Sequence, residues 1–178
     1  SDRMNWKLKK KLKFVTVITA RKSSKRLPNK NILQFCGKPL IYWSILLAKK
    51  INLDNQIYVS SDCKKIKEIC YNNNVNFIQR PKNLCGDVVM PDSALIHAYK
   101  KIKKNFDYLI FLQPTEPLRD FKDIEKIIEL ILKSNADSLL SVVKSNLFLW
   151  KKKKTFFSPE NYNYLRRPRT QDFSNYIE

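Results

Sequence analysis

Apolar residues along this chain follow two rhythms. Phe14 to Ala20 and Tyr108-Leu109-Ile110-Phe111-Leu112 are nearly continuous apolar runs, the pattern of strands covered on both faces. Leu40, Trp43, Leu47 and Ile51 instead recur at helical spacing, behind a Pro39 that suits a first helical turn. Gln56 to Ser61 and Val75 to Gln79 read as strands flanking a helix through Ile66, Ile69 and Cys70. Asp62 is placed to cap that helix, and Asn72-Asn73-Asn74 is placed to end it. A loop from Arg80 to Met90 leads to a helix from Pro91 to Lys104. The Tyr108 strand, a helix from Asp120 to Ser134 and a strand from Asp137 to Val143 follow. Strands and helices that alternate in this way predict an α/β fold, a mostly parallel, mixed sheet with helices on both faces.

The rhythm stops after Lys144. Leu147 to Trp150, the run Lys151 to Lys154, Phe156-Phe157, Tyr162 and Tyr164 mix aromatic with basic residues, and no repeat is visible. The organisation expected is therefore a basic N-terminal extension (1–13), an α/β core (14–145) and a final element (146–178). Ser1-Asp2-Arg3 ahead of Met4 reads as a remnant of processing or cloning, and the lysine-laden stretch Asn5 to Lys13 as a frayed arm.

Composition changes this picture modestly. The 178 residues, 43% of them hydrophobic, can bury one sizeable core. Thirty-five Lys and Arg against 16 Asp and Glu give a formal charge of +19, which attracts polyanions and predicts nonspecific nucleic-acid binding at low salt. The cations are spread along the chain rather than gathered in one block, and the aromatic-basic tail lacks the platform pattern of an RNA-binding module. Cys36, Cys63, Cys70 and Cys85 form no CxxC pair, and His97 is the one histidine, so the spacing speaks against zinc and for reduced thiols. No apolar run reaches the roughly 18 residues of a membrane span, and the expectation is a cytoplasmic protein.

Candidate chemistry gathers behind the two strongest strands. The segment Ala20-Arg21-Lys22-Ser23-Ser24-Lys25-Arg26-Leu27-Pro28-Asn29-Lys30-Asn31 places five cations within eleven residues of a strand end. Backbone N–H groups, Ser24 and the heads of Arg21, Lys25 and Lys30 in such a turn suit a polyphosphate, although a solvated basic loop has the same composition. Gln113-Pro114-Thr115-Glu116-Pro117-Leu118-Arg119 follows the Tyr108 strand. Ligands of open α/β sheets sit beyond the carboxyl ends of strands, so Gln113 and Arg119 would face the crevice of Arg21 and Lys25 if the strands are parallel.

Several residues have plainer readings. His97, beside Leu95, Ile96 and Ala98, reads as a packed, hydrogen-bonded histidine before a general base. Glu125 and Glu129, at i and i+4, read as a solvated helix face. Asp62 reads as a cap and Asp87 as a loop-holding residue as readily as either reads as a site residue.

The chain resembles the acylneuraminate cytidylyltransferases (CMP-sialic acid synthetases) and their legionaminate and pseudaminate relatives. The resemblance rests on Ala20-Arg21 with Ser24-Lys25 and Pro28 to Asn31, then Gly37-Lys38-Pro39-Leu40, Val59-Ser60-Ser61-Asp62, and Arg80-Pro81 with Leu84 and Asp87. His97-Ala98, Gln113-Pro114-Thr115, Pro117-Leu118-Arg119, Ala136-Asp137-Ser138 and Arg167-Pro168-Arg169 with Gln171 complete it. The resemblance implies a Rossmann-like nucleotidyltransferase fold and transfer of CMP from CTP to a nine-carbon acidic sugar, with pyrophosphate leaving. It gives Arg21, Ser24, Lys25 and Lys30 to the triphosphate. Asn31 and Arg80, with backbone groups after Asp87, go to the nucleoside, and Gln113, with Arg119, to the sugar. Arg167 and Arg169 go to the sugar carboxylate or the phosphates, and Gln171 extends that contact; Arg21, Lys25, Lys30 and Arg167 carry the catalytic role. It also implies Mg²⁺ and a homodimer into whose partner the last element projects.

Departures from that pattern qualify it. Val88, Val89, Met90 and Pro91 stand where relatives carry small hydroxyl residues, so the base is expected to be read by backbone groups there. Thr170 replaces an arginine and Glu116 a serine. The chain stops at Glu178, ahead of the family's Mg²⁺-binding aspartates, and no metal ligand can be named from it. A nucleotide-binding homologue without catalysis, and a basic nucleic-acid-binding module on the same fold, remain the alternatives at this stage.

Overall fold

The computed structural model describes residues 13–24, 27–51, 56–86, 89–134, 136–169, 172 and 175–177. It separates into two compact units, Ser1–Glu129 and Leu130–Glu178.

The first unit is built on four parallel strands: β1 (Phe14–Thr19), β4 (Ile57–Ser61), β5 (Asn76–Gln79) and β6 (Tyr108–Leu112), in the order β5-β4-β1-β6. A short antiparallel hairpin, β2 (Gln34–Phe35) and β3 (Lys38–Pro39), lies between β1 and β4 in sequence. Its two-residue turn holds Cys36 at φ 49° and Gly37 at φ 75°, the left-handed pair that matches the twist of tight hairpins. Pro39 therefore ends a strand rather than opening a helix, and helix α1 (Leu40–Ile51) begins one residue later. Helix α2 (Lys64–Asn72) joins β4 to β5, α3 (Pro91–Lys101) joins β5 to β6, and α4 (Phe121–Lys133) follows β6.

β1 is the centre of the sheet because its sequence suits burial on both faces. Val15, Thr16, Val17 and Ile18 are fully buried. It pairs with β4 in the register Thr16↔Ile57 to Thr19↔Ser60, and with β6 in the register Phe14↔Tyr108 to Ile18↔Leu112. Side chains alternate along a strand, so Val15 and Val17 share one face; there they meet Ile78 and, from α3 and its end, Ala98 and Ile102. α1, with Ile41, Ile45 and Ala48 fully buried, also packs on β1 and β4. Parallel strands need right-handed crossovers, and the chain runs outward from β1 through β4 to β5 before returning past β1 to β6. The order of travel thus reverses between β1 and β6.

Two expectations are corrected here. Asp62 does not cap α2: the residue before that helix is Cys63, and no side chain closes its first turn. The strand expected over Asp137 to Val143 is absent from the main sheet, and only β7 (Val143–Ser145) is a strand. It is shifted toward the polar Lys144 and Ser145 because its partner is β10 (Asn175–Ile177), antiparallel, in a two-stranded sheet of the second unit. A two-stranded ribbon cannot bury both faces of an apolar strand, and Leu140 and Val143 stay exposed.

The second unit also folds β8 (Trp150–Lys152) against β9 (Phe157–Pro159). Asn161 closes the base of that hairpin, taking the Leu149 N–H at 2.9 Å and donating to the Leu147 carbonyl at 3.0 Å. The expected basic arm over residues 1–12 lies outside the described residues.

Candidate active site

Beyond the carboxyl ends of β1, β5 and β6 lies a cleft of about 280 Å³ lined by, among others, Arg21, Lys30, Asn31, Arg80 and Gln113. Five sequence candidates from four separated segments are thereby brought to one place, at the point where the strand order reverses.

Each is positioned by identifiable local chemistry. Beyond β1, the Ala20 N–H donates to the Ser60 carbonyl at 3.0 Å, so the ladder continues past the last strand residue. The Lys22 N–H then donates to Asp62 Oδ1 at 2.7 Å, which gives Asp62 its role: it straps the loop after β1 to the end of β4. Arg21 Nη1 donates to the Gly86 carbonyl at 3.2 Å, and Ser23 Oγ to the Cys85 carbonyl at 3.4 Å, tying this loop to the one after β5.

Asn29 takes a left-handed conformation (φ 56°) ahead of the 3₁₀ turn Lys30–Ile32, a geometry asparagine tolerates better than most residues. The turn directs Asn31 inward, where it is 4% exposed. Its Nδ2 donates to the Arg21 carbonyl at 3.0 Å, while its buried Oδ1 has no hydrogen-bond partner among the described residues. An unsatisfied buried acceptor on a cleft wall is costly unless a ligand donor meets it.

Arg80 follows β5 and is 5% exposed. Its Nη2 donates to the Ser60 carbonyl at 2.7 Å and its Nε to Ser60 Oγ at 3.3 Å. Burial lowers its pKa from the usual guanidinium value; the Cys85 and Asp62 side chains oppose that shift and Arg21 adds to it. The guanidinium nonetheless keeps its charge at physiological pH. Cys85, on the same loop, has its thiol pKa raised by burial first and by Asp62 next. The four cysteines are free thiols, as their spacing led us to expect.

Behind β6, Pro114 and Pro117 fix the backbone of the loop carrying Gln113. Arg119 Nη1 donates to the Gln113 carbonyl at 2.9 Å, and its Nε and Nη2 reach Glu116 Oε2 at 2.9 and 2.7 Å. Arg119 thus braces the loop that presents Gln113, and it is not among the described residues lining the cleft. Ser24 is half-buried on the loop after β1 and likewise off the described lining. Lys25, Asp87 and Gln171 lie outside the described residues.

Arg167 and Arg169 belong to the second unit. The Arg167 guanidinium stacks 4.4 Å from the centroid of Phe148, whose ring meets Tyr162 edge-on at 4.8 Å. Arg169 Nε donates to Asp172 Oδ2 at 2.5 Å.

Sequence reasoning missed the apolar lining made by Leu84, Val89, Met90 and Ala94, and the carbonyls of Cys85 and Gly86. The first had a legible signal, the run of apolar residues after Asp87; backbone carbonyls leave none. His97 departs from expectation in one respect: its Nδ1 is buried without a hydrogen-bond partner among the described residues. Burial lowers its pKa from the usual imidazole value, with Lys101 and Arg80 adding to the effect.

The fit of a divalent cation can be tested on this donor set. No described residue lining the cleft is an aspartate or glutamate, and no group of three His, Cys, Asp or Glu among the described residues could hold a metal ion. Asp62 is turned to the Lys22 amide and Glu116 to Arg119. The described residues therefore do not fit the Mg²⁺ that the resemblance implied.

Among the described residues the cleft brings together three cationic side chains, the Asn31 Oδ1 acceptor and an apolar wall. The family profile described as cytidylyltransferase matches residues 15–173. The chain belongs to the cytidylyltransferase family. It is 32% identical to N-acylneuraminate cytidylyltransferase A of Danio rerio over 174 residues, covering 94% of this chain and 40% of that protein. It is 34% identical to the CMP-N,N'-diacetyllegionaminic acid synthase of Legionella pneumophila over 136 residues, 74% of this chain and 58% of that one. Among solved structures it is similar to a CMP:2-keto-3-deoxy-manno-octonic acid synthetase complexed with CTP, with TM-score 0.60 and 26% identity over 70% of this chain and 49% of that one. The chain thus spans roughly half the length of these cytidylyltransferase relatives. No helix among the described residues is long and apolar enough to cross a membrane.

Proposed function

We propose that this cytidylyltransferase chain binds CTP in the cleft and transfers CMP to the anomeric hydroxyl of a nine-carbon acidic sugar. The hydroxyl oxygen attacks the α-phosphorus, the bond to the β-phosphate oxygen breaks, the hydroxyl proton leaves to solvent and pyrophosphate departs. The observation that carries the reading is the convergence of Arg21, Lys30, Arg80 and Gln113 beyond the strand ends.

In this reading the residues divide the work as follows. Arg21 and Lys30, with Ser24 and Lys25 on the same loop, meet the triphosphate and stabilise charge growing on the leaving group. The unpartnered Asn31 Oδ1 suits an exocyclic amine, which cytosine has and uracil lacks, while Arg80, with backbone groups after Asp87, contacts the nucleoside. Gln113 orients the acceptor, and Arg119 acts on it indirectly by bracing Gln113. Arg167 and Arg169, with Gln171, present planar forks suited to the sugar carboxylate. A homodimer in the cytoplasm is part of the same reading, supported by the exposed Trp150, Phe156, Phe157 and Leu165 of the second unit.

The test is pyrophosphate release from CTP and Mg²⁺ across a panel of sialic, legionaminic, pseudaminic and 3-deoxy-octulosonic acids, with the other nucleoside triphosphates as controls. Release with CTP and a nine-carbon sugar supports the proposal. CTP binding without release by any panel member refutes transfer by this chain and leaves a nucleotide-binding homologue.

A further inference from the structure

Ser60 is a polar residue in the fully covered part of β4, and it does not line the cleft. A hydroxyl buried there is costly unless it serves a partner. Its neighbour Ser61 serves the chain locally, Oγ accepting the Cys63 N–H at 3.1 Å. Ser60 serves a residue twenty positions on: its Oγ accepts from Arg80 Nε at 3.3 Å and its carbonyl from Arg80 Nη2 at 2.7 Å. The same carbonyl accepts the Ala20 N–H at 3.0 Å, and the Arg80 N–H donates to the Ser61 carbonyl at 2.9 Å. Arg80 is thus held twice, its backbone by the continued β4–β5 ladder and its guanidinium by the end of β4.

The two guanidinium bonds use the Nε–Nη2 edge, and Nη1 takes part in neither. A planar fork gripped along one edge has its plane fixed, which a single hydrogen bond does not achieve. The neighbouring charges act on Arg80 differently: Cys85 and Asp62 favour its charged form and Arg21 opposes it. Charge of either sign has little say in which way the plane faces. The geometry points to Ser60 as a positioning residue for nucleotide recognition, fixing the direction in which Arg80 presents Nη1 to the cleft without itself touching the ligand. This assignment rests on the nucleotide reading of the cleft, with Arg80 at the nucleoside end, and extends it to a residue behind the cleft wall.

The experiment is calorimetric titration of the full chain with CTP and, separately, with inorganic tripolyphosphate, for Ser60→Ala, Ser60→Thr, Arg80→Met and the Ser60→Ala/Arg80→Met pair. Residues in direct contact couple, so Ser60→Ala should raise the Kd for CTP roughly three- to tenfold. Tripolyphosphate, which has no nucleoside, should bind Ser60→Ala as it binds the unsubstituted chain, whereas a generally loosened site would lose both ligands. Ser60→Thr keeps the hydroxyl and should restore CTP binding, and Ser60→Ala should add no loss once Arg80 is methionine. In the unsubstituted chain the Arg80 Nε–H should exchange slowly with water by nuclear magnetic resonance, a readout that needs no variant. Unchanged CTP affinity in Ser60→Ala, an equal loss of CTP and tripolyphosphate, an undiminished loss in the Arg80→Met background or fast Nε–H exchange each overturns the assignment and leaves the nucleotide reading standing. No CTP binding by the unsubstituted chain overturns both.

Discussion

Replacing Asp62 separates two roles that the sequence could not tell apart. Its Oδ1 takes the Lys22 N–H at 2.7 Å, and Cys63, not Asp62, stands at the start of α2. A hydrogen bond to a charged acceptor contributes about 1.5–3 kcal/mol, and for a partly exposed group the lower end applies. Asp62→Ala should therefore cost about 1.5 kcal/mol, a fall in Tm of about 3–6 °C for a chain of this size. The larger effect falls on nucleotide binding. Without the strap, the loop bearing Arg21 and Ser23 loses an anchor, and ordering one or two residues at binding costs about 1–2 kcal/mol each, or roughly tenfold or more in affinity. Asp62→Asn keeps an acceptor and recovers part of both losses. Asp62→Ser, an excellent helix cap with a side chain too short to span to Lys22, recovers neither. Differential scanning fluorimetry and CTP titration of the three variants decide it. Rescue by serine, or unchanged CTP affinity in Asp62→Ala, would refute the strap.

Ile45→Ala removes a fully buried side chain from the α1 face and should cost about 2–5 kcal/mol in urea unfolding, with no change in slope. His97 has a lowered pKa, so the unfolded chain binds more protons between the folded value and the ordinary one near 6.5; stability present above pH 6.5 is lost as pH falls through the folded value, and urea midpoints of His97→Gln should show less of that acid dependence. Burial pushes the Cys70 thiol up to about 12 while Cys36 is exposed, so brief iodoacetamide treatment at pH 8 should label Cys36 first and Cys70 only after denaturation, as read by peptide mass. If the exposed aromatics of the second unit form the dimer contact, Trp150→Ser with Phe157→Ser should shift light-scattering mass from dimer to monomer without changing the far-ultraviolet spectrum.

β1 was legible because it is buried on both sides, which leaves an unbroken apolar signal in the sequence; β6 carries the same signal although it lies at the sheet's edge and only Leu112 is fully covered. β4, β5 and the four helices followed from periodicity, with ends displaced by a residue or a few. The β2–β3 hairpin was not legible: four strand residues around Cys36-Gly37 carry no alternation, and their stability comes from the left-handed turn and from Trp43 Nε1 donating to the Phe35 carbonyl. The strand expected at Asp137 to Val143 failed for the opposite reason, since its apolar pattern was real but its partner, Asn175–Ile177, lay far along the chain. At the site, charged residues announced themselves by type. Their supports did not, because the carbonyls of Ser60, Cys85 and Gly86 are backbone atoms that no residue type marks, and the Asp62 carboxylate acts on a backbone amide forty residues away.

The pairing of β1 with β6 also governs how the molecule is made. During synthesis β1 leaves the ribosome first and β4 can join one of its edges within the next few dozen residues. Its other edge has no partner until Tyr108–Leu112 emerges, about ninety residues later. Long-range parallel pairing of this kind folds slowly, and an apolar strand edge left open meanwhile is a template for intermolecular pairing. The strand that leads into the Arg21 loop is therefore the segment a nascent chain most needs to protect. Slow translation between residues 61 and 108 should lower the soluble yield more than slow translation after residue 112.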